Sequence, residues 1–235
     1  MSDLLGDRMK RQYEDRTRMS LPRRTYTIIR LDGKAFHSVT RNMRKPYDDI
    51  MMAVMDNTGQ ALCEEIQGAQ FAYIQSDEIS LLLTDFAKQD TCAWFDGNVQ
   101  KIVSVSASLA TAAFNREMDN YGVDITPAAL FDSRCFTIPD PVEVENYFIW
   151  RQKDWERNSV QMLAQTMFSQ KQLDGVKREE QYQMCLAKGS DWKTFEPRVR
   201  SGGLACRGGG APTIFSFMDE RDKLKAMIPV PGYEK

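Results

Sequence analysis

The stretch QFAYIQ (70–75), SDE (76–78), ISLLL (79–83) decides the fold. Two runs of aromatic and branched apolar residues flank a short acidic turn, which is the signature of a β-hairpin. Upstream, TYTIIRL (25–31) is another β-branched run and ends at Asp32-Gly33, a second carboxylate-bearing turn. Between that run and the hairpin, Ile50, Met51, Val54, Met55, Leu62 and Ile66 recur at helical spacing across Asp48 to Gln67. Downstream, Gly97 to Phe114 is small and apolar, suited to a helix lying close on a sheet. Arg134 to Ile138 forms a last strand ended by Pro139 and Pro141. The order β-α-β-β-α-β predicts an α+β fold with a ferredoxin-like antiparallel sheet and helices on one face.

Beyond that unit, Val144, Tyr147, Phe148, Arg151, Met162, Leu163 and Met167 predict one long helix from Val142 to Gln172. A further helix is expected at 176–187, a glycine-rich stretch follows at 202–210, and residues 228–235 read as a terminal tail. The expected division is a catalytic domain over 1–140 and a helical extension over 141–235, packed as one unit.

With 235 residues, 42% hydrophobic and 27% charged, the chain is an ordinary globular one, long enough to bury a core without staples. Collagen-like, mucin-like and wholly disordered classes are excluded. A single histidine, His37, rules out Ser-His-Asp triads and multi-histidine metal sites within one chain. Five widely spaced cysteines form no CxxC pair, which fits free thiols in a reducing compartment. The N-terminus is too polar for a signal peptide, and no run approaches the ~18 apolar residues of a membrane span. A cytoplasmic protein with no membrane partner is expected.

Net charge is −2, yet the distribution is uneven. Between Arg8 and Lys45 stand twelve Lys or Arg against Glu14, Asp15 and Asp32. Such a run is either a solvated face or a surface for a polyanion.

In a βαββαβ sheet the first and third strands are central neighbours, so the Asp32 turn and the Asp77-Glu78 turn can meet at one end. Two carboxylates and a backbone carbonyl there form an oxygen-rich site suited to Mg²⁺, with substrate phosphates completing the shell. A pair of such ions serves phosphoryl transfer. Acidic turns at strand ends are also common as plain solvated turns, and spacing alone leaves both readings open.

Several segments resemble the tRNA-His guanylyltransferase family: IRLDGKAFH (29–37), QSDEIS (75–80), VQKIVS (99–104), KPYD (45–48) and YFIWRQ (147–152). A later piece, Asp191-Trp192 through Arg200-Ser201-Gly202, is similar to the family's C-terminal portion. The resemblance implies a polymerase-palm-like domain that adds nucleotides to RNA 5′ ends. It implies that Asp32 and Asp77, with the Gly33 carbonyl, hold two Mg²⁺ ions, and that Glu78 is a further catalytic acid. It implies that Lys34, Ala35, Phe36 and His37 wrap a triphosphate with backbone amides. It implies that Ser76 belongs to the nucleotide site, and that Lys45, Lys101 and Ser104 match positions contacting phosphates or the RNA end. For His37, an orienting role is favoured over a general base.

Where family members acting on histidine tRNA carry a His-Ile-Asn-Asn type segment after Trp-Arg-Gln, this chain has Asp154-Trp155-Glu156-Arg157-Asn158-Ser159. That departure resembles the guanylyltransferase-like branch, with template-dependent 3′-to-5′ repair of tRNA 5′ ends using ATP or GTP for activation and other NTPs for addition. The resemblance also implies a homotetramer, a dimer of dimers. A cyclase-like enzyme acting on NTP alone, or a non-catalytic RNA-binding protein, would share the sheet and the basic segment.

Overall fold

The computed structural model describes residues 4–208 and 214–232. An exposed basic helix α1 (Leu4–Gln12) and a 3-10 turn (Glu14–Thr17) lead into β1 (Tyr26–Gly33). Next come the short α2 (Phe36–Val39) and α3 (Asp49–Glu65), then the hairpin β2 (Ala69–Gln75) and β3 (Glu78–Leu83). A second 3-10 turn (Trp94–Gly97) precedes α4 (Val99–Asn120) and β4 (Phe131–Ile138). The extension comprises α5 (Pro141–Met167), α6 (Gln170–Leu173), α7 (Arg178–Ala187), α8 (Pro197–Ser201), β5 (Gly203–Cys206) and α9 (Arg221–Met227).

One antiparallel sheet runs in the order β4-β1-β3-β2-β5, with the βαββαβ pattern at its centre. Alternation along each strand divides the core into two layers. Ile29, Leu31, Ile79 and Leu81 face Val54, Met55 and Leu62 of α3 and Ile102 and Phe114 of α4. Ile28, Phe71, Tyr73 and Leu82 point the other way, onto Val144 and Phe148 of α5 and onto Phe217 and Leu224 of the extension. The unit's own two helices therefore cover one face, and the C-terminal extension closes the other.

Two boundaries differ from the sequence expectation. The single helix over 142–172 is two: α5 ends at Met167, and Ser169 opens α6 with a capping box to Gln172. The glycine-rich stretch holds a strand, β5, which extends the β2 edge; residues 209 and 210 of that stretch lie outside the described residues. Gly202 enters β5 at φ 88°, and a Cβ there would stand 2.7 Å from the Ile74 carbonyl oxygen, so only glycine allows the approach. The tail after 228 follows α9, and residues 233–235 lie outside the described residues. Among the described residues no helix is long and apolar enough to cross a membrane.

Candidate active site

β1 and β3 are neighbours, and the register sets Asp32 against Glu78. The Gly33 amide donates to the Asp77 carbonyl at 3.0 Å, which locks the hairpin tip beside the end of β1. Ser76 takes a left-handed conformation (φ 47°) that turns the chain, and Glu78 is already the first residue of β3. Asp32 and Asp77 both line a cleft of about 450 Å³ between the strand ends and α5, along with Arg30, Gln75, Trp150 and Asn158. A second cleft of about 240 Å³ opens on the other side of Asp77, lined by Phe36, His37, Lys45, Tyr47 and Arg198. Ser76, Asp77, Trp155 and Met162 belong to both clefts.

The carboxylates are electrostatically unsettled. Burial raises Asp77 above the usual aspartate range, and the charges of Asp32 and Glu78 add to this, against hydrogen bonds from its own amide and Ser76. Burial likewise raises Asp32, helped by Asp132, while Arg134, Arg30 and Arg151 pull it down. Asp132 stands directly opposite Asp32 on β4. Like-charged oxygens gathered at one strand end favour a hard cation between them. It is the Gly33 amide, not the Gly33 carbonyl, that is engaged with Asp77. This all-oxygen donor set fits Mg²⁺, whose remaining positions would fall to water and phosphate. Among the described residues no three His, Cys, Asp or Glu side chains are gathered as a metal site.

Glu78 is placed differently from its two neighbours. Its side chain lies on the α5 face, as does that of Asp32 opposite it, but here Arg151 grips both oxygens at 2.8 Å. Gln75 donates to it at 3.1 Å, and Arg30 lies 3.4 Å away. Its lone pairs are occupied by protein donors.

The loop after Asp32 is built on one aromatic anchor. Phe36 is buried against Phe114 and Phe131 in edge-to-face contacts. Ala35 adopts a left-handed backbone (φ 54°) that opens α2, so the amides of Ala35, Phe36 and His37 precede the first helical hydrogen bond. The Lys34 amide is not free for a ligand, since it donates to the Leu130 carbonyl at 2.8 Å. His37 is exposed on the cleft wall, and the Lys45 ammonium donates to the Thr40 carbonyl at 2.9 Å. Asp48 holds this wall by capping α3 through the Met51 amide and by accepting from the Arg44 amide.

Lys101 and Ser104 are not brought to the acids. They sit in the first turns of α4, which starts beside Ser20 ahead of β1, and line a separate hollow with Glu14, Asp15, Arg18 and Gln100. The basic run is also partly consumed internally: Arg23 pairs with buried Asp85 at 2.6 Å, and Arg44 with Asp49 at 2.8 Å. Sequence reasoning passed over Asp132, Arg30 and Arg198. A strand starting at 131 rather than 134 would have revealed Asp132 as the partner of Asp32.

An antiparallel palm-like sheet with an acid pair at the ends of its two central strands defines a fold class of nucleotidyl-transfer type. A family description, "tRNAHis guanylyltransferase", matches residues 6–139, and the chain belongs to that family. It is similar to a bacterial tRNA(His) guanylyltransferase-like protein solved in complex with ATP: 37% identity, 96% of this chain and all (100%) of the other, TM-score 0.90. A second structure, a bacterial protein of the same description in complex with GTP, gives 34% identity, 96% and 100% coverage, and TM-score 0.81. The tRNA(His) guanylyltransferase of Debaryomyces hansenii is 31% identical over 58% of this chain and 52% of its own length. The chain thus spans about half the length of that curated relative.

Proposed function

We propose that the protein is an Mg²⁺-dependent nucleotidyltransferase that activates tRNA 5′ ends with ATP or GTP and extends them in the 3′-to-5′ direction. The observation that carries this reading is the acid pair, with Asp32 on the larger cleft and Asp77 on the wall that the two clefts share. Two reactants can then approach one point from opposite sides. The ATP-bound and GTP-bound relatives support a nucleoside triphosphate as one of them.

In the first step an oxygen of the RNA 5′-monophosphate attacks the α-phosphorus of ATP or GTP, and pyrophosphate leaves. In the second, the 3′-hydroxyl of an incoming NTP attacks the activated 5′-phosphorus, its proton passes to solvent, and AMP or GMP leaves. The new end keeps a triphosphate. Asp32, Asp77 and the Gly33 carbonyl would hold two Mg²⁺ ions, which supply charge neutralisation and Lewis acidity. The amides of Ala35, Phe36 and His37 bind triphosphate oxygens, and Lys45 and His37 orient them from the cleft wall. Positioning and charge dominate such chemistry, and no histidine base is needed. Glu78 acts here as a positioning residue, holding Arg151 beneath the acid end. Assembly as a dimer of dimers would let Lys101 and Ser104 of one copy serve the acid pair of another.

The test is transfer of label from α-phosphate-labelled ATP to a 5′-monophosphorylated tRNA. Mg²⁺-dependent label on the RNA, lost in Asp32→Ala and Asp77→Ala, is expected. Product formed from NTP alone, without RNA, would overturn the reading in favour of a cyclase-like enzyme.

A further inference from the structure

The larger cleft contains a feature that the chemistry at the acids does not use. Trp150 is 52% exposed although it stands on α5 beside the acid end of the sheet. One face of its ring is backed by the Arg151 guanidinium at 4.5 Å, and Arg151 is itself fixed by its two bonds to Glu78. Tyr147 meets the indole edge-on at 5.9 Å. The ring is thus rigidly mounted, and its exposed surface is apolar. A large exposed aromatic held in place by a buried ion pair is built to receive a flat partner.

The same wall carries polar groups left over once Glu78 is saturated. Gln75 is 3% exposed, yet its Oε1 has no hydrogen-bond partner. Arg30 Nε is also without a hydrogen bond, lying 3.4 Å from Glu78 without the alignment of one. An unpaired buried acceptor and donor are unfavourable until a polar group enters beside them. Asn158 adds an amide to this cleft.

We propose that this cleft binds the terminal base of the RNA acceptor end, which stacks on Trp150 while its polar edge faces Gln75, Arg30 and Asn158. This deepens the nucleotidyl-transfer reading and rests on it. Division of labour between the clefts selects the occupant. Phe36 and His37 of the loop after Asp32, together with Lys45, border the smaller cleft, which leaves the Trp150 side of Asp77 for the second reactant. Stacking on an aromatic is tolerant of sequence because every base has a π-face. A platform of this kind accepts any 5′-terminal nucleotide, as repair of varied ends requires.

The test is equilibrium binding of a 5′-monophosphorylated acceptor-stem hairpin RNA, followed by fluorescence anisotropy, with ATP binding measured in parallel. Trp150→Ala should weaken RNA binding about 5- to 150-fold, the range of base–aromatic stacking, and leave ATP binding unchanged. Trp150→Phe should recover most of the loss. Trp150→Leu keeps apolar bulk without a ring and should behave like Trp150→Ala, which separates stacking from folding. Unchanged RNA binding in Trp150→Ala and Trp150→Leu would overturn the proposal, as would weakened ATP binding in their place. Failure of the underlying reading is distinguishable, because it appears as RNA extension that survives Asp77→Ala, whatever the Trp150 variants bind.

Discussion

Arg151 donates its Nε to one oxygen of Glu78 and a terminal nitrogen to the other, each at 2.8 Å, with both residues buried between α5 and the sheet. This fork joins the extension to the acid-bearing hairpin. Removing one partner of such a pair strands a buried charge. Arg151→Met should therefore destabilise the protein by about 3–5 kcal/mol in urea unfolding. Adding Glu78→Gln to it should cost less than the sum of the two single changes, since the charge left behind is then neutral. Additive losses would show that the pair does not act as a unit.

Gly33 is required by the ring behind it. A Cβ at this position would lie 2.3 Å from Phe36 Cδ2, and Phe36 anchors the loop after Asp32 in the core. Gly33→Ala should lower stability by about 1–3 kcal/mol through overpacking. It should also weaken ATP binding, because the loop moves with the ring. Combining it with Phe36→Leu should return part of the ATP affinity by making room. Calorimetric titration of ATP into the single and double variants checks this.

The acid pair makes a pH prediction. Burial holds the Asp77 carboxyl above the usual aspartate range, and Asp32 and Glu78 raise it further. In the window between the ordinary value, about 3.9, and the raised one, the folded state binds more protons than the unfolded state. Stability contributed by this group is therefore full below the window and is lost as pH rises through it. Without divalent cation, Asp77→Asn should be more stable than the parent at pH 7, with the difference vanishing toward acid. Added Mg²⁺ should raise the melting temperature of the parent and leave that of Asp77→Asn nearly unchanged. Differential scanning fluorimetry across pH, with and without Mg²⁺, reads both effects.

Gln152 ties down the C-terminal segment. Its amide donates to the Ser201 carbonyl at 3.1 Å and the Phe215 carbonyl at 3.0 Å, and its oxygen accepts from the Phe217 amide at 2.6 Å. Gln152→Leu leaves those backbone groups unpaired, at about 1–3 kcal/mol for each buried one. Limited proteolysis should then cut between α8 and α9 faster than in the parent, while the hairpin stays protected.

The hairpin and the βαββαβ order were legible because their signals are local: two β-rich runs about a polar turn, and apolar residues at helical spacing. The meeting of Asp32 and Asp77 followed from that topology. Two other features were not local. β5 is four residues bracketed by glycines, and it is a strand because the edge of β2 offers it partners. Glu78 looked equivalent to Asp77 in sequence, but a turn that closes after Asp77 makes Glu78 a strand residue and sends its carboxylate to Arg151. The break after α5 was legible after all, in the Ser169 and Gln172 spacing of a capping box. Lys101 and Ser104 matched a family motif, yet the motif's spacing does not say where the fold puts it, which is at the start of α4 and away from the acids.

The most direct test of the central claim is extension of a tRNA lacking its first 5′ nucleotide, supplied with ATP, the NTP complementary to the unpaired template base, and Mg²⁺. The account predicts one added nucleotide at the 5′ end, dependent on Mg²⁺ and on the template, and abolished in Asp32→Ala and Asp77→Ala proteins that remain folded. Undiminished extension in either variant, or no extension by the parent protein, would contradict it.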